Sequence, residues 1–192
     1  MRISAGSAKG RRTATRKLFA KGPGGERLRP TSSKVREALF DILRDRVEGA
    51  TFVDLYAGTG TVGFESLSRG AAKAVFIEPD PAMTQTMKRN AHDFGFSEKV
   101  QITQGRADEF LTKAASIHEK YDIFFLDPPY QSDEIEKVLP LLGRKELLRD
   151  DGIVIVEHFF KKKLPEHEGF LKMHKNYRYG DTMLTLYKKA GI

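Results

Sequence analysis

The chain contains no cysteine. That absence excludes disulfide frameworks, thiol nucleophiles, iron–sulfur clusters and cysteine-type zinc sites. It also lacks any run approaching about 18 consecutive apolar residues, the length a membrane-crossing helix requires, and Met1-Arg2-Ile3-Ser4 opens no signal-peptide pattern. The expectation is a cytoplasmic protein that meets no membrane. Histidine is sparse, at five residues, and His92, His118, His158, His167 and His174 show no paired spacing with carboxylates that would bind a metal. No metal is expected, and the histidines read as surface or structural. Internal repeats and low-complexity segments are missing too. What is present is 192 residues, 40% of them apolar, which suits one domain with a small extension. A chain of this size buries roughly 70% of its unfolded surface, so its core needs no covalent staple.

The net charge of +7 is unevenly placed. Residues 1–36 carry eleven basic residues and the single acid Glu26, a net +10 that leaves −3 for the rest of the chain. A basic arm on a neutral-to-acidic body is the footprint of a protein that meets a polyanion, because each Lys or Arg at a phosphate releases condensed counterions. Arg2, Lys9, Arg11, Arg12, Arg16, Lys17, Arg29 and Arg36 are the candidate phosphate contacts. Weak alternation over 4–16, punctuated by Gly6 and Gly10, predicts a β-hairpin, and Gly22-Pro23-Gly24-Gly25 a loop. Residues 1–30 are therefore assigned to an arm and 31–192 to the main domain. Lys161-Lys162-Lys163 reads as a solvated loop.

Beyond Pro30, the N-cap candidates Thr31-Ser32-Ser33 lead into Val35, Leu39, Ile42 and Leu43 at helical spacing, a helix running to about residue 46. Strands are then expected at 51–55, 73–77, 100–103, 121–126 and 153–157, with helices at 61–68, 82–94, 107–118 and 133–142 between them. Such alternation predicts an α/β fold with a doubly wound, mostly parallel sheet. Ile123-Phe124-Phe125-Leu126 fits a strand buried on both faces. Two further strands, 172–178 and 182–187, are joined without a helix, so an antiparallel pair is expected to close one edge of a seven-stranded sheet.

Two motifs carry chemistry. The turn from Asp54 through Tyr56, Ala57, Gly58 and Gly60 to Gly63 joins the first strand to its helix, where glycines admit a ligand against backbone and the helix offers unpaired N–H groups. Gly58, Gly60 and Gly63 also spell G-x-G-x-x-G, with Glu78 twenty residues after Gly58, so a nicotinamide-dependent oxidoreductase competes. Asp54 weighs against it. A carboxylate there opposes a pyrophosphate and suits S-adenosylmethionine, which carries an ammonium and a sulfonium. Glu78, followed by Pro79, can accept both hydroxyls of a ribose under either reading.

The second motif, Asp127-Pro128-Pro129-Tyr130, follows the buried fourth strand. In a sheet ordered 3-2-1-4-5, strands one and four flank the topological switch point, so the glycine turn and this tetrapeptide are predicted to open into one crevice. A nucleobase amine is a weak nucleophile because its lone pair is delocalised. Hydrogen bonds from it to the Asp127 carboxylate and the Pro128 carbonyl would direct that lone pair at a sulfonium methyl. Two prolines fix the carbonyl, since each restricts φ and neither offers an N–H. Tyr130 would stack on the base.

These residues resemble a known family. Arg29-Pro30-Thr31-Ser32-Ser33-Lys34-Val35-Arg36-Glu37-Ala38-Leu39-Phe40 is similar to the helix signature of the bacterial 16S ribosomal RNA (guanine-N2)-methyltransferases. So are 54–63, Leu67-Ser68-Arg69-Gly70-Ala71, 127–130 and Tyr179-Gly180-Asp181-Thr182, and the likeness covers almost the whole chain. The first and last of these are specific to that family, whereas the glycine turn and Asp-Pro-Pro-Tyr occur in amino-methyltransferases generally. The resemblance implies a Rossmann-like methyltransferase fold with a small N-terminal hairpin extension. It also implies transfer of methyl from S-adenosylmethionine to N2 of a guanine in 16S rRNA, within the small subunit or its assembly intermediate. One departure is visible: where the family carries Asp-Ala or Asn-Ala to hold the adenine amine, this chain has Gly105-Arg106-Ala107-Asp108, which moves that contact to Asp108 or to the backbone of Arg106 and Ala107. The alternatives are a DNA adenine-N6 methyltransferase, against which stands the lack of a target-recognition insert, and a non-catalytic RNA-binding assembly factor.

Overall fold

The computed structural model describes residues 2–13, 32–144 and 147–190. Among the described residues the α-helices and strands follow one another as α1 (Ser33–Leu43), β1 (Thr51–Asp54), α2 (Thr61–Ser68), β2 (Lys73–Glu78), α3 (Pro81–Phe94), β3 (Val100–Gln104), α4 (Ala107–Ser116), β4 (Tyr121–Leu126), α5 (Glu134–Leu142), β5 (Leu148–Phe159), β6 (His167–Glu168), β7 (Leu171–Tyr179) and β8 (Thr182–Lys189). They build one mixed sheet in the order β3-β2-β1-β4-β5-β8-β7-β6. The first five strands are parallel and the last three antiparallel. The sheet is Rossmann-like, as expected, and its helices lie on both faces. α1, α2 and α3 supply Phe40, Phe64 and Met87 to one core layer, while α4 and α5 supply Leu111 and Val138 to the other.

Local chemistry starts the helices where the sequence places its caps. Ser32 accepts from the Val35 N–H at 3.2 Å, and Asp80 accepts from the Ala82 N–H at 2.7 Å ahead of Pro81, which needs no partner at the first helical position. Among the described residues, no helix is long and apolar enough to cross a membrane.

Two departures from the sequence expectation concern the sheet. It has eight strands among the described residues instead of seven, because the two-residue β6 adds to β7 as an edge too short to leave a periodic signal. β5 also begins at Leu148, five residues before the expected start. Tyr121 pairs with Leu148 and Ile123 with Ile153, so a bulge absorbs the polar stretch Arg149-Asp150-Asp151 and hides the strand from any period-two reading.

The amino terminus is a hairpin closed by an antiparallel bridge between Arg2 and Arg12. The Ile3 N–H donates to the Arg11 carbonyl (2.9 Å), and Gly10 N–H returns to Ile3 (3.0 Å). Ile3 and Ala8 are buried in the core layer beside α2. Gly6 has φ +78°, and a Cβ there would stand 1.7 Å from the Ser68 carbonyl oxygen, so only glycine lets the hairpin lie this close. The expected 22–25 loop lies outside the described residues.

Candidate active site

The register of the sheet determines which motifs meet. Asp54 ends β1 opposite Phe125 of β4, and the Leu55 N–H donates to the Phe125 carbonyl at 3.0 Å. Both chains then leave the sheet at the same edge, β1 into the glycine turn and β4 into Asp127. On the other flank of β1, Ala57 N–H donates to the Ile77 carbonyl (3.0 Å), which brings Glu78 beside the turn. The register therefore brings Asp54, Glu78 and Asp127 to the carboxyl ends of three adjacent strands, close enough for the charges of Asp127 and Glu78 to act on Asp54.

Asp54 is 2% exposed. Burial, then the charge of Asp127, and to a smaller extent that of Glu78, push its carboxyl up to about 7, against the opposing N–H groups of Tyr56 and Gly63. Its Oδ1 accepts no hydrogen bond among the described residues. A buried acceptor of this kind, amid like charges, fits a cationic ligand and repels a phosphate. Glu78 is also raised by burial, while the Gly58 and Asp80 N–H groups, 2.8 and 3.0 Å from its two oxygens, work the other way.

The three glycines of the turn do different work. Gly58 (φ +54°) has open space where a Cβ would stand, as the floor of a ligand site should. Gly60 (φ +78°) caps α2, and a Cβ there would meet the Phe64 ring at 2.8 Å. Gly63 faces protein instead: its Cβ would lie 2.2 Å from the Phe76 ring, so this glycine sets the approach of α2 to β2.

After β4, Pro128 is buried while Pro129 and Tyr130 are exposed. The Tyr130 hydroxyl lies 2.9 Å from Thr182 Oγ1 and 3.5 Å from Glu157 Oε1. Burial, with Glu157 and Asp127 adding to it, pushes the phenol up to about 12 despite the opposing bond to Thr182. Tyr130 thus stays protonated with its ring held at the cleft's rim. Ser132 Oγ donates to the Pro129 carbonyl (2.7 Å), and Lys162 Nζ reaches the Ser132 carbonyl (3.1 Å) and Glu136 (3.0 Å). Lys162, expected in a solvated loop, instead secures the segment after Tyr130.

Arg106 and Asp108 sit at the start of α4 on the far side of the turn. The Arg106 guanidinium bonds Asp108 (3.1 Å) and Glu134 (3.4 Å), and Glu134 accepts from the Tyr56 hydroxyl at 3.2 Å. Although burial opposes it, the bond from Arg106 holds the Asp108 carboxyl below its usual range. Ala107 is buried, and Pro79 is exposed beside Glu78. Glu134, Glu157 and Thr182 were not singled out as site residues from the sequence. The signals available were Glu157 ending an apolar strand at the functional edge, and Thr182 closing the Tyr-Gly-Asp-Thr motif.

Of the candidate phosphate contacts, Arg2, Lys9, Arg11 and Arg12 are exposed on the hairpin. Arg2 Nε donates to the Gly10 carbonyl (3.1 Å), and Arg11 bonds the Asp93 carbonyl. Arg16, Lys17 and Arg29 lie outside the described residues. Arg36 is a correction: it is 1% exposed, its Nη2 donates to the Arg2 carbonyl (2.8 Å), and its Nε lies 3.6 Å from the fully buried Glu65. An interior guanidinium cannot meet a phosphate outside. Glu65 further accepts from Ser4 N–H (2.8 Å), Ser4 Oγ (2.7 Å), Ala5 N–H (3.0 Å) and Arg69 Nε (2.9 Å), which fastens the hairpin to α2. His158 is buried, with Nδ1 at 3.0 Å from the Phe159 carbonyl and Nε2 at 2.7 Å from Thr185 Oγ1, a structural role. Among the described residues, no group of acids and histidines is placed to hold a metal ion.

A five-stranded parallel core, extended by an antiparallel strand beside β5 and opening between β1 and β4, defines a Rossmann-like methyltransferase. Across residues 1–188 the sequence matches the family described as Conserved hypothetical protein 95, and the chain belongs to that family. It is similar to a putative rRNA methyltransferase, YlbH, of Bacillus subtilis, at 34% identity over 191 residues and 100% of both chains. It is similar also to ribosomal RNA small subunit methyltransferase D of Escherichia coli, at 31% identity over 167 residues, covering 87% of this chain and 82% of the relative. Among solved structures, a putative methyltransferase of Escherichia coli, yhhF, superposes with a TM-score of 0.81 at 28% identity, covering 98% of this chain and 97% of the other.

Proposed function

We propose that this protein transfers the methyl group of S-adenosylmethionine to the exocyclic N2 amine of a guanine in 16S ribosomal RNA. One observation supports the reading: the buried Asp54, with its unpartnered oxygen, lies near enough to Asp127 of the Asp-Pro-Pro-Tyr segment for that charge to raise its carboxyl. The cofactor supplies an electrophilic methyl on a sulfonium. Asp54, Glu78 and Asp127 balance its positive charge, and Glu78 retains lone pairs for the ribose hydroxyls beyond the two N–H groups it already accepts. Because Arg106 engages Asp108, the adenine contact falls to the backbone of Arg106 and Ala107.

The Asp127 carboxylate and the Pro128 carbonyl accept hydrogen bonds from the two amine N–H groups and orient the lone pair, while Tyr130 stacks on the base. No strong base is required, since the amine becomes acidic once methylated and gives its proton to solvent. Orientation supplies most of the acceleration, for which up to about 7–11 kcal/mol is available in well-aligned reactions. A paired guanine must first leave its stack, at a cost of a few kcal/mol that phosphate contacts along the hairpin offset. The names of the Bacillus and Escherichia relatives support ribosomal RNA as the substrate.

The test is incubation with isotopically labelled cofactor and small subunits lacking the modification, followed by nucleoside mass spectrometry. N2-methylguanosine is expected; N6-methyladenosine would replace the proposed target, and no label would leave a binding factor. Asp127→Ala should lower turnover by about 10²–10³-fold, the scale of losing one preorganised contact, with cofactor affinity by calorimetry changed less than about threefold. Retained turnover would remove the orienting role.

A further inference from the structure

We propose that the carboxyl end of β5 and the β7–β8 turn form a second RNA contact, separate from the N-terminal hairpin, which takes the unpaired nucleotides flanking the target base. The inference deepens the methyltransferase reading and rests on it. Cross-strand registers pair Phe159 with Thr182 and Thr182 with Tyr179, so the three side chains form one row on one face of the sheet. Tyr130 stands over this row, bonded to Thr182 and with its ring centroid 6.3 Å from that of Phe159. Two strand spacings carry the row about 10 Å from Phe159 to Tyr179, roughly the length of three stacked nucleotides. Tyr179 is 37% exposed at its outer end.

Beside the row, the Arg178 guanidinium lies over the Phe160 ring at 3.7 Å, and its Nε donates to the Gly180 carbonyl at 2.9 Å. The Phe160 N–H donates to the Asp181 carbonyl (2.9 Å), locking β5 to the turn, and Phe159 meets the Phe160 ring edge-on at 5.0 Å. A guanidinium held over a ring at this distance leaves its outer side for a nucleobase, the pairing of arginine and aromatic faces by which unpaired RNA is read. Lys161, 5.7 Å over the same ring, and Lys163 are exposed, with Asp181 the acid of the adjoining turn. Glu157 is buried and turned to Tyr130, and Lys162 is occupied by Ser132 and Glu136. Rings interleaved with cations suit a polyanion with exposed base faces. A duplex offers no such faces, so the occupant is single-stranded.

The test uses the full chain and a short, fluorescently labelled single-stranded oligoribonucleotide, titrated at several salt concentrations, alongside the KM for small subunits. Arg178→Ala should weaken oligonucleotide binding about tenfold, raise that KM, and flatten the logarithmic salt slope by about 0.7, one phosphate contact on a single strand. Arg178→Lys should restore the slope but not the affinity, because the charge returns without the plane. Phe160→Ala should follow Arg178→Ala. Parental binding by Arg178→Ala, or full rescue by lysine, overturns the proposal. If the parent protein methylates RNA and the variants keep its KM, this surface alone is refuted; if the parent labels no RNA, the enzymatic reading falls first.

Discussion

The two ends of α2 handle buried acids in opposite ways. Toward its carboxyl end, Glu65 is surrounded by donors, four hydrogen bonds from Ser4, Ala5 and Arg69 and the nearby Arg36, and it serves to fasten the hairpin. Just ahead of its amino end, Asp54 has an oxygen without a donor and like charges for neighbours. Both residues are interior carboxylates tied to one short helix, Glu65 as a member of α2 and Asp54 through the Gly63 N–H in its first turn. The saturated one holds structure together, and the underserved one stores an unmet interaction for a ligand to satisfy. This contrast, more than burial itself, separates a structural acid from a functional one.

The sharpest way to break the comparison is Glu65→Ala. It leaves Arg36 interior and uncompensated, and a cost of about 3–5 kcal/mol is expected, seen as a fall of about 6–20 °C in the unfolding midpoint by calorimetry. A fall below about 2 °C would deny Glu65 its fastening role. Asp54→Asn should act in the other direction, and only in part of the pH range. Because the folded carboxyl is raised to about 7 from an ordinary value near 3.8, its contribution to stability is full below about pH 4 and is lost as pH rises through 7. The asparagine variant should therefore melt a few degrees higher than the parent at pH 8 and equally at pH 4, while binding S-adenosylmethionine more weakly. Parental affinity for the cofactor should correspondingly improve as pH passes upward through 7. Equal melting at both pH values would remove the unmet-charge argument. The smallest effect is expected from Tyr130→Phe, which keeps the ring and loses the bond to Thr182: KM for RNA should rise about threefold to tenfold with cofactor affinity intact, consistent with one hydrogen bond of about 1 kcal/mol.

The sheet's parallel half was legible in the sequence because buried strands such as Ile123–Leu126 and capped helices such as the one after Ser32 carry local signals. The crevice was legible by topology, since the strand order makes β1 and β4 neighbours without any contact being known. Long-range pairing was not legible. Arg36 sits in a run of basic residues and counts as surface until Glu65, twenty-nine positions on, is seen to face it. The link from Tyr56 through Glu134 to Arg106 joins the glycine turn to the amino ends of two helices and leaves no periodic trace. Gly63, the third glycine of the G-x-G-x-x-G pattern, answers to the Phe76 ring of β2, a close helix–strand approach that the same position serves in dinucleotide sites, so the pattern alone does not choose the ligand.

Thr13, buried and 3.3 Å from the Thr61 hydroxyl at the first residue of α2, gives the hairpin a second point of attachment. Ser4 and Ala5 grip the helix near one end and Thr13 touches it at the other, so the amino-terminal segment splints a rod only about 12 Å long whose tip is the ligand turn. A polypeptide trimmed of its first thirteen residues would therefore not be the same catalyst minus its grip on RNA. It would lose Ile3 and Ala8 from the core, leave Glu65 with only Arg36 and Arg69, and unbrace the loop that has to hold a nucleoside still.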